Sequence, residues 1–473
     1  MKSLHIFTIL MITLLTSGFR VKDVHESYMN IAQTDSVLIQ KHKSICEQLV
    51  RSALIERRGY KWLEEFCKIG PRLSGSTQSL QAIQWAEMKM KEIGFDTVWL
   101  QPVMVPHWER GTTEEAIIVN SKINNGFSLN ILTLGGSVAT PPEGITAEVI
   151  ELRNFEELEK SAADVYGKIV FFNRELDQGQ LNTFAGYGGA INQRVYGAIE
   201  AAQYGAIAVL IRSVTTKYDN VPHTGVVAYR DTITKIPAAA IGQVDADFLS
   251  SLIKAEVNLK VQLKLDCRIL PDKLSYNVIG DVRGTKNPDE FILVSGHVDS
   301  WDVGDGAHDD AAGCIQSIEV IDLLKRNKIN LSKTLRCVLF INEENGSRGS
   351  IEYARYTDSL NINHIAAIES DRGAYTPVGF TIENNEEAIS NMQKWLPLLE
   401  LSSIDWIRKG GSGADISRLK KTKALIGYIP DDQRYMDIHH SPSDVFEEVH
   451  PREFELGVSA MAILCYLISE EDF

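Results

Sequence analysis

The sequence predicts an α/β protein: a mostly parallel central sheet flanked by helices, carrying an inserted β-rich domain. Three observations carry this. From residue 275 onward, near-continuous apolar strands alternate with helices, the pattern of a sheet covered on both faces. Between 113 and 270 the texture shifts to short β-rich runs. The 473-residue length exceeds one ordinary core and suggests two or three domains at roughly 100–200 residues each.

Taken in order, the chain opens with Lys2, the apolar run LHIFTILMITLL (4–15) and the small or polar Thr16, Ser17 and Gly18. A basic start, a short apolar stretch and a small-residue exit describe a signal peptide over 1–18; the run is short of the roughly 20 residues that span a bilayer as a helix. Residues 19–45 are polar and charged without a strong apolar stripe and read as a propeptide or an N-terminal arm. Residues 46–66 read as helix. SLQAIQWAEMKMKEIG (79–94) is an amphipathic helix stopped by Gly94, and DTVWLQPVMV (96–105) alternates as a strand. The runs EEAIIV, ITAEVIEL and KIVFFN, the glycine-rich GYGGAINQRVYG and the strand AIAVLIR (206–212) belong to the insert, 113–270, which lacks any cluster of metal ligands. The second half supplies strands FILVSGHVD (291–299), TLRCVLFIN (334–342) and HIAAIESD (364–371), and helices at 311–326 and 451–468. Segments 46–112 and 271–473 therefore read as one discontinuous domain.

The formal charge of −15 argues against nucleic acid or an anionic membrane as a partner, since either needs a basic face. Six cysteines allow 15 disulfide pairings; Cys314, Cys337 and Cys465 lie in apolar periodic segments and read as buried thiols. Sequons occur at Asn330, in a polar link, and at Asn345, beside the catalytic candidates, where modification is not expected.

Five short motifs carry chemistry. His297-Val298-Asp299 closes a strand; residues i and i+2 point the same way, so Asp299 could fix the imidazole tautomer as carboxylates do for metal-bound histidine. Alone, His-x-Asp reads by default as a surface pair. In GAHDDAAG (306–313), Asp309 precedes a helix, where an anion is favoured but where Asp309 or Asp310 could simply cap. NEENGSRGS (342–350) places Glu343 and Glu344 after an apolar strand; adjacent carboxylates can divide metal binding from proton transfer. Asp371 ends another strand, and His439-His440-Ser441 is followed by Asp444. Together these give imidazoles and carboxylates without thiolate, the donor set of catalytic zinc. Asp309, Glu343, Glu344 and Asp371 carry four negative charges, matching two divalent cations; without metal their pKa values would rise steeply.

The order HxD, DD, EE-x-G-x-x-GS, SD-x-G and HHS-x-x-D resembles that of the co-catalytic zinc exopeptidases, which include aminopeptidases and glutamate carboxypeptidases. SGHVDSWDVGDGAHDDAAG (295–313), RVYGAIEAAQYGAIAVLIRSVT (194–215), VPHTGVVAY (221–229) and KIPAAAIG (235–242) extend the similarity over most of the chain. The resemblance implies the zinc exopeptidase fold with a protease-associated-like insert over the active site, two Zn2+ per chain, and a homodimer. It implies that His297 and Asp371 hold one zinc, that Glu344 and His440 hold the other, and that Asp309 bridges. Glu343 corresponds to the general base for the attacking water. His439 stands where some relatives carry an oxyanion-stabilising tyrosine, a role an imidazole N–H could take. A cis peptide is implied at Asp309–Asp310. The loop GGSGAD (410–415), Arg348 and Arg372 are candidates for a substrate carboxylate, against a plain loop and structural ion pairs. His107, His223, His308, His364 and His450 match no ligand position. The expected function is hydrolysis of dipeptides or short peptides in the secretory pathway, secreted or lysosomal, with no membrane attachment after signal cleavage. The competing readings are an aminopeptidase of the same fold and a catalytically dead binding protein on the same scaffold.

Overall fold

The computed structural model describes residues 21–473, with side chains described from 37 onward; the signal-peptide expectation for 1–18 lies outside the described residues. Among the described residues sixteen strands form two sheets. In chain order they are β1 (Thr97–Glu109), β2 (Glu114–Ile118), β3 (Ser128–Leu129), β4 (Ile131–Thr133), β5 (Ile145–Leu152), β6 (Ile169–Phe172), β7 (Ala208–Arg212), β8 (Ala238–Ile241), β9 (Lys260–Leu265), β10 (Arg268–Val282), β11 (Asn287–His297), β12 (Lys333–Phe340), β13 (Asn363–Glu369), β14 (Pro377–Ile382), β15 (Trp406–Lys409) and β16 (Ala424–Pro430).

The first sheet runs β1-β10-β12-β11-β13-β16-β14-β15. Its centre, β12-β11-β13-β16, is parallel; β1, β10 and β14 join antiparallel at the flanks. Every residue of β12 is buried, as a strand covered on both faces requires. The helix Ala312–Arg326 covers the sheet, and Pro451–Glu470 packs against it, buried continuously from Phe454 to Ser469. A helix apolar around its whole circumference can only be interior. The second sheet, β3-β2-β9-β5-β6-β7-β8-β4, is built wholly from residues 114–265. It is less purely β than the sequence texture indicates: helices Asn192–Gln203 and Gln243–Ala255 belong to the same stretch.

Residues 21–56 form one helix, so the stretch read as an arm is continuous with the helix expected from 46. From Leu38 it has a packing face, Leu38, Ile39, His42, Ile45, Cys46 and Leu49. The stripe has helical spacing but is diluted by His42, which binds Tyr466 Oη at 2.8 Å and Glu471 at 2.6 Å. All six cysteines are free and buried.

One polar pair lies inside the helical layer. Glu319 and Glu455 face each other between Ala312–Arg326 and Pro451–Glu470. Arg326 donates to Glu319 at 3.0 Å and the Tyr60 N–H to Glu455 at 3.1 Å. Gly59 makes room: a Cβ there would lie 1.7 Å from Glu319 Oε2. Burial raises Glu319 to about 7, and burial with the Glu319 charge raises Glu455 to about 9. Folded pKa values above the unfolded ones mean that the pair stabilises the fold fully only below the unfolded carboxyl pKa. That contribution is lost as pH rises through the folded values. The melting temperature should therefore fall between pH 5 and pH 9, and Glu455→Gln, which keeps a donor toward Glu319, should flatten the fall. Parallel melting curves for the two proteins would contradict this.

Candidate active site

Because β12, β11, β13 and β16 run parallel, their carboxyl ends open on one edge, where α/β sheets carry their chemistry. His297 is the last residue of β11. Glu343 and Glu344 follow β12, Asp371 follows β13, and the loop beyond β16 carries His439 and His440. Asp309 enters from the turn before the helix Ala312–Arg326. These side chains converge. His297 Nε2 lies 3.3 Å from Asp309 Oδ1 and 3.4 Å from Asp371 Oδ1. His440 Nε2 lies 3.3 Å from Asp309 Oδ2 and 3.1 Å from Glu344 Oε2. Asp309 thus faces His297 with Oδ1 and His440 with Oδ2. His439 Nε2 is 3.5 Å from Asp309 Oδ2.

The support beneath these groups differs from one expectation. Asp299 does not hold His297 by its carboxylate, which is 4.0 Å from Nδ1. Its main-chain carbonyl accepts from Nδ1 at 2.9 Å. The strand ends at His297, so the i+2 alternation no longer applies at Asp299. The Asp299 carboxylate instead accepts from the N–H groups of Asn342 (2.7 Å) and Glu343 (3.2 Å), anchoring the turn that presents Glu343 and Glu344. Asp310 accepts from the N–H groups of His297 and Gly313 at 2.9 and 3.0 Å. Asp444 accepts from those of His308 and Asp309 at 2.8 and 3.0 Å. The Asp309–Asp310 peptide is cis.

A metal fits this cluster on chemical grounds. A carbonyl only accepts, so His297 carries its neutral-form proton on Nδ1 and turns a lone pair on Nε2 toward two carboxylate oxygens. Acceptors facing acceptors need a proton or a cation between them. Among the described residues Asp309 Oδ2 and Glu344 Oε1 are buried with no hydrogen-bond partner, a costly arrangement unless something positive meets them. Burial, then the neighbouring carboxylates, push Glu343 and Glu344 well above the ordinary carboxyl range. Burial opposes charge on His297, yet Asp309 and Asp371 outweigh it and hold its pKa well up. Divalent cations would take the place of those protons. The groups His297–Asp309–Asp371 and Asp309–His439–His440 each offer three donor atoms within 4.8 Å of one another.

His439 and His440 stack, with ring centroids 3.6 Å apart. His440 meets the carboxylates of both Asp309 and Glu344, whereas His439 meets only that of Asp309 among the described residues. Burial lowers His439 to about 3, leaving a neutral imidazole.

Several residues of the site come from 113–270, where the sequence offered no ligand cluster. His223 donates to the His439 carbonyl at 2.6 Å, and the Thr224 N–H donates to the His440 carbonyl at 2.8 Å. Arg194 lies 3.4 Å from His440 Nδ1 and donates to the Tyr187 hydroxyl at 2.6 Å. Burial raises that hydroxyl to about 12. The runs RVYGAIEAAQ and VPHTGVVAY were the available signal, but nothing local assigned them a role.

Beside Asp371 opens a cleft of about 640 Å³, lined by Phe184, Arg372, Lys409 and the 410–414 loop. Arg372 stacks 4.0 Å over Phe184 and pairs with Asp432 at 3.3 Å. Arg348 does not line this cleft; it pairs with Asp272 at 2.5 Å on the surface. Asn345 accepts from Ser74 at 2.9 Å, whereas Asn330 is exposed.

The profile of peptidase family M28 matches residues 277–462. Carboxypeptidase Q of Bos taurus is 36% identical over 403 residues, covering 85% of this chain and 83% of its own. A solved peptidase M28 precursor from Shewanella amazonensis SB2B superposes with a TM-score of 0.87 at 31% identity, covering 92% of this chain and 98% of its own. A zinc aminopeptidase from Bacillus subtilis shares the fold, with a TM-score of 0.62 at 19% identity over 85% of this chain and 93% of its own.

Proposed function

We infer that this chain, which belongs to peptidase family M28, is a zinc-dependent metallopeptidase that hydrolyses dipeptides or short peptides as a carboxypeptidase or dipeptidase with two Zn2+ per chain. The observation that carries this is the convergence of two imidazoles on Asp309, with Asp371 against one and Glu344 against the other, and with oxygens of Asp309 and Glu344 buried and unpartnered among the described residues. His297 and Asp371 would hold one ion, Glu344 and His440 the other, and Asp309 both. When bound, the ions lower the pKa of water and polarise the scissile carbonyl.

The chain's own residues supply the rest. Glu343 takes a proton from the attacking water as the new C–O bond forms. It then delivers that proton to the departing amine as the C–N bond breaks. His439 presents an N–H to the oxygen that gains charge; its replacement by alanine should lower kcat with zinc content intact, and an unchanged kcat would remove it from the mechanism. Arg372, Lys409 and the N–H groups of Gly411, Ser412 and Gly413 make one end of the cleft suited to a terminal carboxylate.

The carboxypeptidase Q relatives favour this end preference, while the shared fold with an aminopeptidase keeps the opposite one as the second reading. A panel of dipeptides blocked at either end decides. Loss of turnover on C-terminal amidation with tolerance of N-acetylation supports the carboxypeptidase type, and the reverse pattern overturns it.

Residues 113–270 are proposed to be an inserted, protease-associated-like domain between the two parts of the peptidase domain, 46–112 and 271–473. Entry into the secretory pathway is proposed from the basic and apolar opening of the sequence. No helix among the described residues is long and apolar enough to cross a membrane. The homodimer is proposed from family resemblance alone, and a sedimentation measurement giving a monomer would remove it.

A further inference from the structure

We propose that Tyr187 is a catalytic residue supplied by the second sheet's segment, its hydroxyl held by Arg194 to donate a hydrogen bond to the oxyanion that forms at the scissile carbon. The inference rests on the peptidase reading above and adds to it a group that lies about 110 residues before the first candidate ligand.

Arg194 is only 3% exposed, and its surroundings fix it. It donates to the Thr224 carbonyl at 3.1 Å and to Tyr187 Oη at 2.6 Å, and its Nη1 is 3.4 Å from His440 Nδ1. Gly225 leaves the space it occupies: a Cβ there would sit 2.2 Å from the guanidinium carbon, and the φ of +141° disfavours a side chain in any case. The guanidinium also lies 5.3 Å from the Tyr187 ring centroid. That ring meets His439 edge-on, with centroids 5.1 Å apart. Tyr187 is therefore clamped between a buried cation and the stacked histidine pair.

The direction of the hydrogen bond decides what the hydroxyl can do. Arginine only donates, so Tyr187 Oη accepts from it and keeps its one proton for another partner. No second partner for that hydroxyl is present among the described residues. The positive charge behind the oxygen strengthens the O–H as a donor. A donor fixed beforehand by a buried cation, next to the histidines that flank Asp309, is suited to negative charge that appears only during reaction. As the water oxygen bonds to the carbonyl carbon, the C=O π pair moves onto oxygen and the water's proton passes to Glu343. Tyr187 donates a hydrogen bond without giving up its proton. When the C–N bond breaks, its pair leaves on nitrogen, which takes the proton from Glu343, and the C=O bond re-forms.

Tyr187→Phe keeps the ring and removes the donor. It should lower kcat by roughly 10²–10³-fold, with KM and zinc content unchanged, and should bind a phosphinic dipeptide analogue more weakly in the same proportion. Arg194→Met, with Tyr187 retained, should lower kcat by a smaller factor at constant KM and serves if the phenylalanine variant does not fold. A kcat within twofold of wild type in a folded Tyr187→Phe protein overturns the proposal alone, as does a loss expressed only in KM. A wild-type protein inactive on the dipeptide panel overturns it together with the peptidase reading.

Discussion

Glu343→Gln is expected to lower kcat by about 10²–10⁴-fold, the usual contribution of a positioned general base, while leaving zinc content and KM close to wild type. Glutamine preserves the shape and hydrogen-bonding reach of the side chain but cannot accept the water's proton. The environment makes this residue suited to the exchange: burial, with Asp371, Asp415 and Asp309 nearby, raises its proton affinity well above that of a free carboxyl. Its backbone N–H is tied to Asp299 at 3.2 Å, so the substitution should not move the turn. Steady-state kinetics with metal analysis on the same sample checks it. A variant retaining more than a tenth of wild-type kcat would assign the proton transfer elsewhere.

Asp309→Ala should have the larger effect, because each oxygen of Asp309 faces a different imidazole. Removing it leaves neither half of the cluster with its three donors, so both ions should be lost and turnover should fall to the uncatalysed background. Asp371→Ala, by contrast, removes a donor from the His297 side only and should leave one ion bound. Metal content of the two variants after gel filtration distinguishes these outcomes; equal zinc retention in both would refute the bridging role.

Much of this arrangement was legible in the sequence for a specific reason. His297, Glu343, Glu344 and Asp371 each sit within four residues after, or at the end of, a buried parallel strand, so local pattern alone brings them to one edge of the sheet. His440 was harder, since it lies on a loop and has a histidine neighbour. What separates the two in space is the contact of His440 with Glu344 at 3.1 Å, which only the folded loop reveals. The Asp299 reading failed where the strand stopped. Alternation placed its carboxylate beside His297, but the chain turns and offers the carbonyl. Tyr187, Arg194 and His223 were not legible at all. Their roles arise from contact between distant segments, and no local period or spacing encodes that. The helix Val21–Glu56 was half legible because His42 occupies a position on its packing face that hydropathy does not mark.

The donor set also explains why the site needs something that the chain does not provide. Two imidazoles and four carboxylates meet in a buried space, and without cations burial and the neighbouring carboxylates favour the protonated form of Glu343, the candidate base for water. Cations that neutralise the ligands restore Glu343 to that use. Zinc analysis of the purified full chain, before and after chelation and on titrating zinc back, therefore tests the central claim most directly. Two zinc ions per chain, loss of dipeptide hydrolysis on their removal and its return with zinc are the predicted result. Full hydrolysis by a chain holding no metal, or one zinc at saturation, would contradict it.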